Sequence, residues 1–297
     1  MTVTERQDGV GHLERIAAYS YRYRLSSRWR RGRLWGAIGF AAAAPILALA
    51  WPKTSALLAA AAALWLVIGR TALMQLERRS YLRAVTLHEY YDTKLFSIEW
   101  NESLAGPQPS RSTVLDNARK IPIRDPYLKW FEIDDLGLPH PLDVILCQFQ
   151  SATWSQLNHR GWGWFLIFVS ATWGVALVLF GILNNLSLAT FLIALFLPSA
   201  PALLDAIELG IAHVSQAAEQ ASHETTIEVA FLKAARRVGE PGGQEKNARA
   251  ARRLQDQSYR LRRSHERVPT WFHRISTRRS SAVSNGAAAE LRRAACV

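Results

Sequence analysis

Apolar residues in this chain gather into four blocks: Leu34 to Trp51, Thr54 to Gly69 continuing past Arg70 through TALM, Gly161 to Leu183, and Leu186 to Leu204. Each block can cross a hydrocarbon core about 30 Å thick at about 1.5 Å per residue when its flanks contribute. The third and fourth contain no charge. A helix apolar on every side needs apolar surroundings on every side, so both are predicted to span a bilayer. The first two are alanine-rich and also compatible with a buried soluble hairpin. Trp35, Trp51 and Trp65 near their ends, and the flanking arginines, favour spanning through interfacial anchoring.

The linkers are short where they join spans: PK between the first two, NN between the last two. Arginine is concentrated in the other three regions, so the positive-inside rule places those regions and both termini in the cytoplasm. The predicted fold class is an all-α membrane protein, with four transmembrane helices as two hairpins and a mainly helical cytoplasmic region. The expected layout is a basic N-terminal segment over 1–33, hairpin one over 34–74, a cytoplasmic linker domain over 75–160, hairpin two over 161–204, a cytoplasmic helical hairpin over 205–275, and a flexible tail over 276–297.

Within the cytoplasmic parts, helix is expected over Gln75–Tyr91, over Ser112–Arg119 and over Pro141–Arg160. The last has Leu142, Ile145, Leu146, Phe149, Thr153 and Leu157 at helical spacing and runs into the third span beside Trp162 and Trp164. The segment YYDTKLFSIEWNESLAGPQPS reads as irregular with one short strand, and the stretch bearing Pro122, Pro126, Pro139 and Pro141 as a compact linker. Helices over Asp205–Val238 and Gln244–Glu266 flank GEPGG, the signature of an antiparallel hairpin.

Composition alone misleads: across 297 residues the mean hydropathy is −0.03 and 49% are apolar, values ordinary for a soluble protein. Net charge is +12, which points to an anionic partner such as nucleic acid, nucleotide or phospholipid. Arg22, Arg24, Arg28, Arg30, Arg31 and Arg33 precede the first span, and Arg70, Arg78, Arg79 and Arg83 border the second, so the bilayer is the favoured partner and no DNA or RNA polymer is expected. The start of the chain is polar and carries no signal-peptide core. The only cysteines, Cys147 and Cys296, do not form a disulfide framework, and histidines without ligand spacing give no metal site.

No GxSxG, P-loop or HExxH pattern occurs, so neither an enzyme nor a cofactor is expected. Two carboxylate pairs stand out, Asp134 with Asp135 and Asp205 with Glu208. The second, spaced i,i+3 where the fourth span ends, is either a solvated helix end or, in a homo-oligomer, a ring of negative charge at a pore mouth that favours cations. Pro198 and Pro201 just before it make a fixed kink or a gate. Basic and aromatic residues mingle from Arg253 to Arg279. There Arg253, Tyr259, Arg262, Arg263 and Trp271 fit a phosphate-rich ligand with bases to stack, and equally a lipid headgroup surface or a solvated face.

The order of two spans, KLFSIEWNESLAG, YLKWF, LCQFQSATWSQL leading into two more spans, then RRLQDQSYRLR and VPTWF, resembles the SMODS-associating four-transmembrane effector family over nearly the whole chain. Its most specific elements are Cys147, Gln148 and Trp154, with Phe96, Trp100, Asn101 and Trp130. Phe149, Ser155 and Phe131 depart from the family pattern. The resemblance implies a bacterial antiphage effector of the inner membrane, triggered by a cyclic oligonucleotide ligand or a partner and disrupting the membrane; a homo-oligomer of the spans is the expected assembly. A non-conducting membrane-anchored sensor or scaffold is the alternative.

Overall fold

The computed structural model describes residues 2–122, 128–132, 137–264 and 267–295, and every regular element among them is helical. In chain order these are α1 (Val3–Arg6), α2 (Val10–Ala50), α3 (Ser55–Ile68), α4 (Met74–Phe96), α5 (Glu102–Ala105), α6 (Arg111–Ala118), α7 (Leu142–Leu183), α8 (Leu188–Phe191), α9 (Leu197–Arg236), α10 (Gly243–Ser264) and α11 (Thr270–Ala294). A 3-10 turn, Pro52–Thr54, separates α2 from α3. Single π turns, Gly69–Leu73 and Leu192–Phe196, carry α3 into α4 and α8 into α9 without a break. The second lies directly before Pro198 and Pro201, which have no N–H to give and force the hydrogen-bond ladder to adjust.

Three of the described helices are long and apolar enough to cross a membrane: Ser55–Phe96, Leu142–Leu183 and Leu188–Arg236. The expected four spans are thus met in part. The remaining apolar run, from Leu34, is the end of α2, whose earlier half is densely charged. The expected short strand is absent among the described residues; instead α4 continues to Phe96, and α5 follows, capped by Asn101 Oδ1 accepting from the Leu104 N–H at 3.2 Å. The tail expected to be flexible is α11, because Ser280, Ser284, Ala288 and Leu291 form a small-residue face that packs inward. Asp134, Asp135 and Cys296 lie outside the described residues.

The chain divides into two compact units. One comprises residues 1–23, 81–160 and 215–297. Its core gathers Ile16, Tyr19, Tyr91, Leu95, Ile227, Phe231 and Tyr259 with the α7 face of Leu142, Ile145, Leu146 and Phe149. That α7 face is the one its spacing predicted. Helices α9 and α10 turn through Gly239 and Gly242, at φ +85° and +70°, a backbone region glycine enters without strain. Asn247 Nδ2 donates to the Ala234 carbonyl at 3.0 Å to close the turn.

The second unit comprises residues 24–80 and 161–214. Its outside is apolar, with Trp35, Leu57, Leu64, Phe168, Leu183 and Leu188 exposed, whereas Arg30, Arg33, Glu77, Ser199, Asp205 and His213 are buried. Grease outside and paired charge inside is what hydrocarbon surroundings require. Helices α7 and α9 touch backbone to backbone at Gly163 and Gly210, and Trp65 lies across Gly36 with its indole N–H donating to the Arg33 carbonyl at 3.1 Å.

Candidate functional site

In the first unit, residues 252, 255, 259 and 262 follow one another at three and four positions along α10, which puts them on its buried face. Gln255 Nε2 donates to Glu89 Oε2 at 2.8 Å and to Asp92 Oδ2 at 3.1 Å, both on α4. Arg252 Nη2 pairs with Glu89 Oε1 at 2.9 Å, and Arg262 Nη2 with Asp92 Oδ2 at 2.8 Å. Burial by itself lowers the pKa of the Arg262 guanidinium, but Asp92, Tyr23 and Glu89 around it together more than offset this, and the net shift is upward. Gln148 Nε2, from α7, donates to the Ala251 carbonyl and to Gln255 Oε1, each at 3.1 Å. Three helices thus meet in one buried polar network. Such networks are well specified when their members are satisfied and expensive when one is removed.

On the opposite face of α10, a cleft of about 620 Å³ opens against α9. Leu254, Ala250 and Ala230 give it an apolar floor, and Ser222, His223, Thr226, Arg253, Gln257 and Glu219 a polar rim. The side chains of Arg253 and Gln257 have no bonding partner among the described residues. His223 Nε2 is 2.8 Å from the Ser258 hydroxyl, and its buried Nδ1 has no hydrogen-bond partner. An apolar floor, hydroxyls and a free guanidinium suit a polar ring bearing an anionic group.

The structure disperses the residues expected to bind a phosphate-rich ligand. Arg253 reaches the cleft. Tyr259 is 2% exposed in the core, where no ligand reaches it. Arg262 is taken by Asp92, and Arg263 Nη1 donates to the Leu104 carbonyl at 3.3 Å. Trp271 stands apart on α11. One linear segment cannot present all five together, because α10 turns them to different faces.

The motif residues support the first unit rather than line its cleft. Cys147 is fully buried, and Phe96 packs on Phe131 at 5.7 Å. Trp100 Nε1 donates to the Gly106 carbonyl at 2.8 Å, and Asn101 Nδ2 donates to Asp256 at 3.1 Å. Trp130 meets Trp154 edge-on at 5.9 Å, and Trp154 stacks on His273 at 4.9 Å. Burial, with Arg267 and His159 nearby, lowers the His273 pKa to about 3.

In the second unit, Asp205 Oδ2 accepts from Arg33 Nη1 at 2.8 Å, and Asp205 Oδ1 from Arg70 Nη2 at 3.4 Å. Glu208 Oε2 is 2.8 Å from Arg70 Nη2, while Glu77 takes Arg30 Nε at 2.5 Å and Arg33 Nη2 at 3.6 Å. Within the chain, then, Asp205 and Glu208 are not bare acids: each carboxylate is countered by an arginine. Pro201 lies beside this group with Arg33, Trp65 and Gly69; Pro198 precedes it by one turn of α9. The partner residues Arg33, Arg70 and Glu77, like Glu89, Asp92 and His223, escape sequence reading because they lie far along the chain from what they bind. Only the spacing of 252, 255, 259 and 262 was available as a signal.

A helical, membrane-associated protein whose apolar-surfaced unit buries paired charge is the class these features define. The chain belongs to the SMODS-associating 4TM effector domain family, whose model matches residues 1–291. It is 26% identical over 212 residues to a protein of Bacillus cereus (strain VD146) described as a probable CBASS effector molecule, the match covering 67% of this chain and 70% of that protein. No solved structure matches.

Proposed function

We propose that the protein is a CBASS antiphage effector that crosses the bacterial inner membrane four times, with both termini cytoplasmic, and permeabilises it as a homo-oligomer when a cyclic oligonucleotide binds. The spans are the two hairpins read from the sequence, Leu34 to Trp51 being the first. Family membership and the curated relative support the effector role. The observation that carries the mechanism is the continuity of α7. Its first half holds Gln148 against Gln255 and Ala251 of α10, the helix that presents Arg253 to the cleft, and its second half is charge-free and apolar over 161–183. A ligand seated between α9 and α10 biases the position of α10, and a rigid helix passes that bias into the membrane. The chemistry is binding and conformational change, with no catalytic step.

The test is dye release from liposomes containing the purified protein, across a panel of cyclic di- and trinucleotides. One member of the panel triggers release, and Arg253→Ala raises the concentration needed for half-maximal release at least tenfold without changing expression. Ligand binding without release under any condition favours the non-conducting sensor; no binding and no release overturns the reading.

A further inference from the structure

The first two turns of α11 present a second surface. On its inner side the His273 ring stacks on Trp154 at 4.9 Å, and Ser276 Oγ donates to Asn158 Oδ1 at 2.5 Å, which fixes the rotation of the helix. On its outer side Trp271 is 49% and Ile275 74% exposed, the latter as much as Leu57 of the apolar outside of the second unit. Trp271 and Ile275 are i,i+4 neighbours, and the exposed Arg274, Arg278 and Arg279 surround them on the same face.

We infer that this face, Trp271 and Ile275 framed by Arg274, Arg278 and Arg279, lies on the anionic lipid surface, with the apolar pair in the interface and the guanidinium groups at phosphate level. Position supports this occupant. Trp154 and Asn158 belong to α7, and the charge-free run of α7 starts at Gly161, about 4.5 Å further along the helix axis. The exposed Trp164 follows, a residue type that settles at headgroup depth. A nucleotide is the poorer fit, since the most exposed apolar member of the face, Ile275, cannot stack on a base. Basic residues flanking an apolar stripe are the pattern of a helix lying in an interface. The inference rests on reading 161–183 as a span.

The experiment uses the full chain in lipid nanodiscs, in a Cys296→Ser background, with an environment-sensitive fluorophore on Ile275→Cys, on Glu290→Cys as an exposed α11 control, or on Phe168→Cys as a span control. With phosphatidylglycerol present, the label at 275 is quenched by shallow spin-labelled lipid and at least threefold less by iodide than the label at 290. Arg274→Gln/Arg278→Gln/Arg279→Gln halves the lipid quenching and removes its dependence on phosphatidylglycerol. Equal iodide quenching at 275 and 290, with 168 reached by lipid quencher, overturns the proposal and leaves the span reading intact. Iodide access at 168 removes the span reading and the proposal with it. Shielding at 275 without lipid quenching, accompanied by energy transfer between labelled copies, assigns the face to a second copy and overturns the proposal as well.

Discussion

Arg33 and Asp205 face each other at 2.8 Å, both nearly sealed from solvent, and join α2 to α9. Removing one partner of a buried pair leaves the other charge uncompensated, which typically costs about 3–5 kcal/mol. Asp205→Asn is therefore expected to destabilise by about 3 kcal/mol, toward the lower end because Glu77 still stands 3.6 Å from Arg33. Glu208 is more than half exposed, and Glu208→Gln is expected to cost under about 1 kcal/mol. Thermal unfolding in detergent micelles measures both. Equal shifts for the two variants would contradict the buried-pair argument.

Gln148 and Gln255 form the link between α7 and α10, and their neighbours set the order of effects. Gln148→Leu leaves Gln255 Oε1 without its donor, at about 1–3 kcal/mol. Gln255→Leu takes one donor from each of two buried carboxylates, Glu89 and Asp92, and is the more damaging substitution. Because the residues share one network, the double variant should lose less than the sum of the single ones. A double-mutant cycle on melting temperature decides this, and strict additivity would refute the coupling.

The sequence discloses local properties and conceals distant partners. The apolar run and the core face of α7 were legible because both are local properties of one contiguous segment: absence of charge over 161–183, and apolar spacing at Leu142, Ile145, Leu146 and Phe149. The glycine-proline break after α9 was legible for the same local reason. Partners were not. Asp205 was visible as an acidic residue at the end of an apolar run, but its meaning depends on Arg33 and Arg70, which only folding brings near. Arg262 looked like a ligand residue because its local surroundings are basic, whereas Asp92, 170 positions away, has already claimed it. The helical tail was missed because serine and alanine make a poor hydrophobic stripe yet an adequate close-packing face.

The buried His273 gives the first unit an acid sensitivity of definite sign. Its pKa falls to about 3 in the folded protein, whereas the unfolded value is about 6.5, so between these the unfolded chain binds more protons. The stabilisation is fully present above about pH 6.5 and is lost as pH falls toward 3, amounting to up to about 2 kcal/mol at pH 5. Melting temperature should therefore drop from pH 7.5 to pH 5, and His273→Gln should flatten part of that slope. Some slope remains, since burial and then Arg15 lower the His12 pKa to about 4. An unchanged slope in the His273 variant would exclude its burial as a neutral ring.

Gly163 and Gly210 make a close approach of α7 to α9 in the second unit, and the two positions are not equivalent. A methyl group at Gly163 would lie 2.8 Å from the Gly210 carbonyl oxygen and 3.0 Å from the Val214 nitrogen, backbone atoms that move only if a helix moves. At Gly210 the nearest obstacle is Ile167 Cγ1 at 2.9 Å, a side chain able to rotate, with the Gly163 carbonyl oxygen at 3.1 Å. Gly174 meets nothing within 4 Å. Overpacking a close contact costs about 1–3 kcal/mol, and alanine is the better helix former where space allows. Melting temperatures in micelles should thus rank Gly174→Ala at or above the native chain, Gly210→Ala below it, and Gly163→Ala lowest. Small residues at such crossings let helices pack by van der Waals contact where the hydrophobic effect is absent. If Gly163→Ala melted with the native protein, α7 and α9 would not be in backbone contact, and the second hairpin would have to pack by another face.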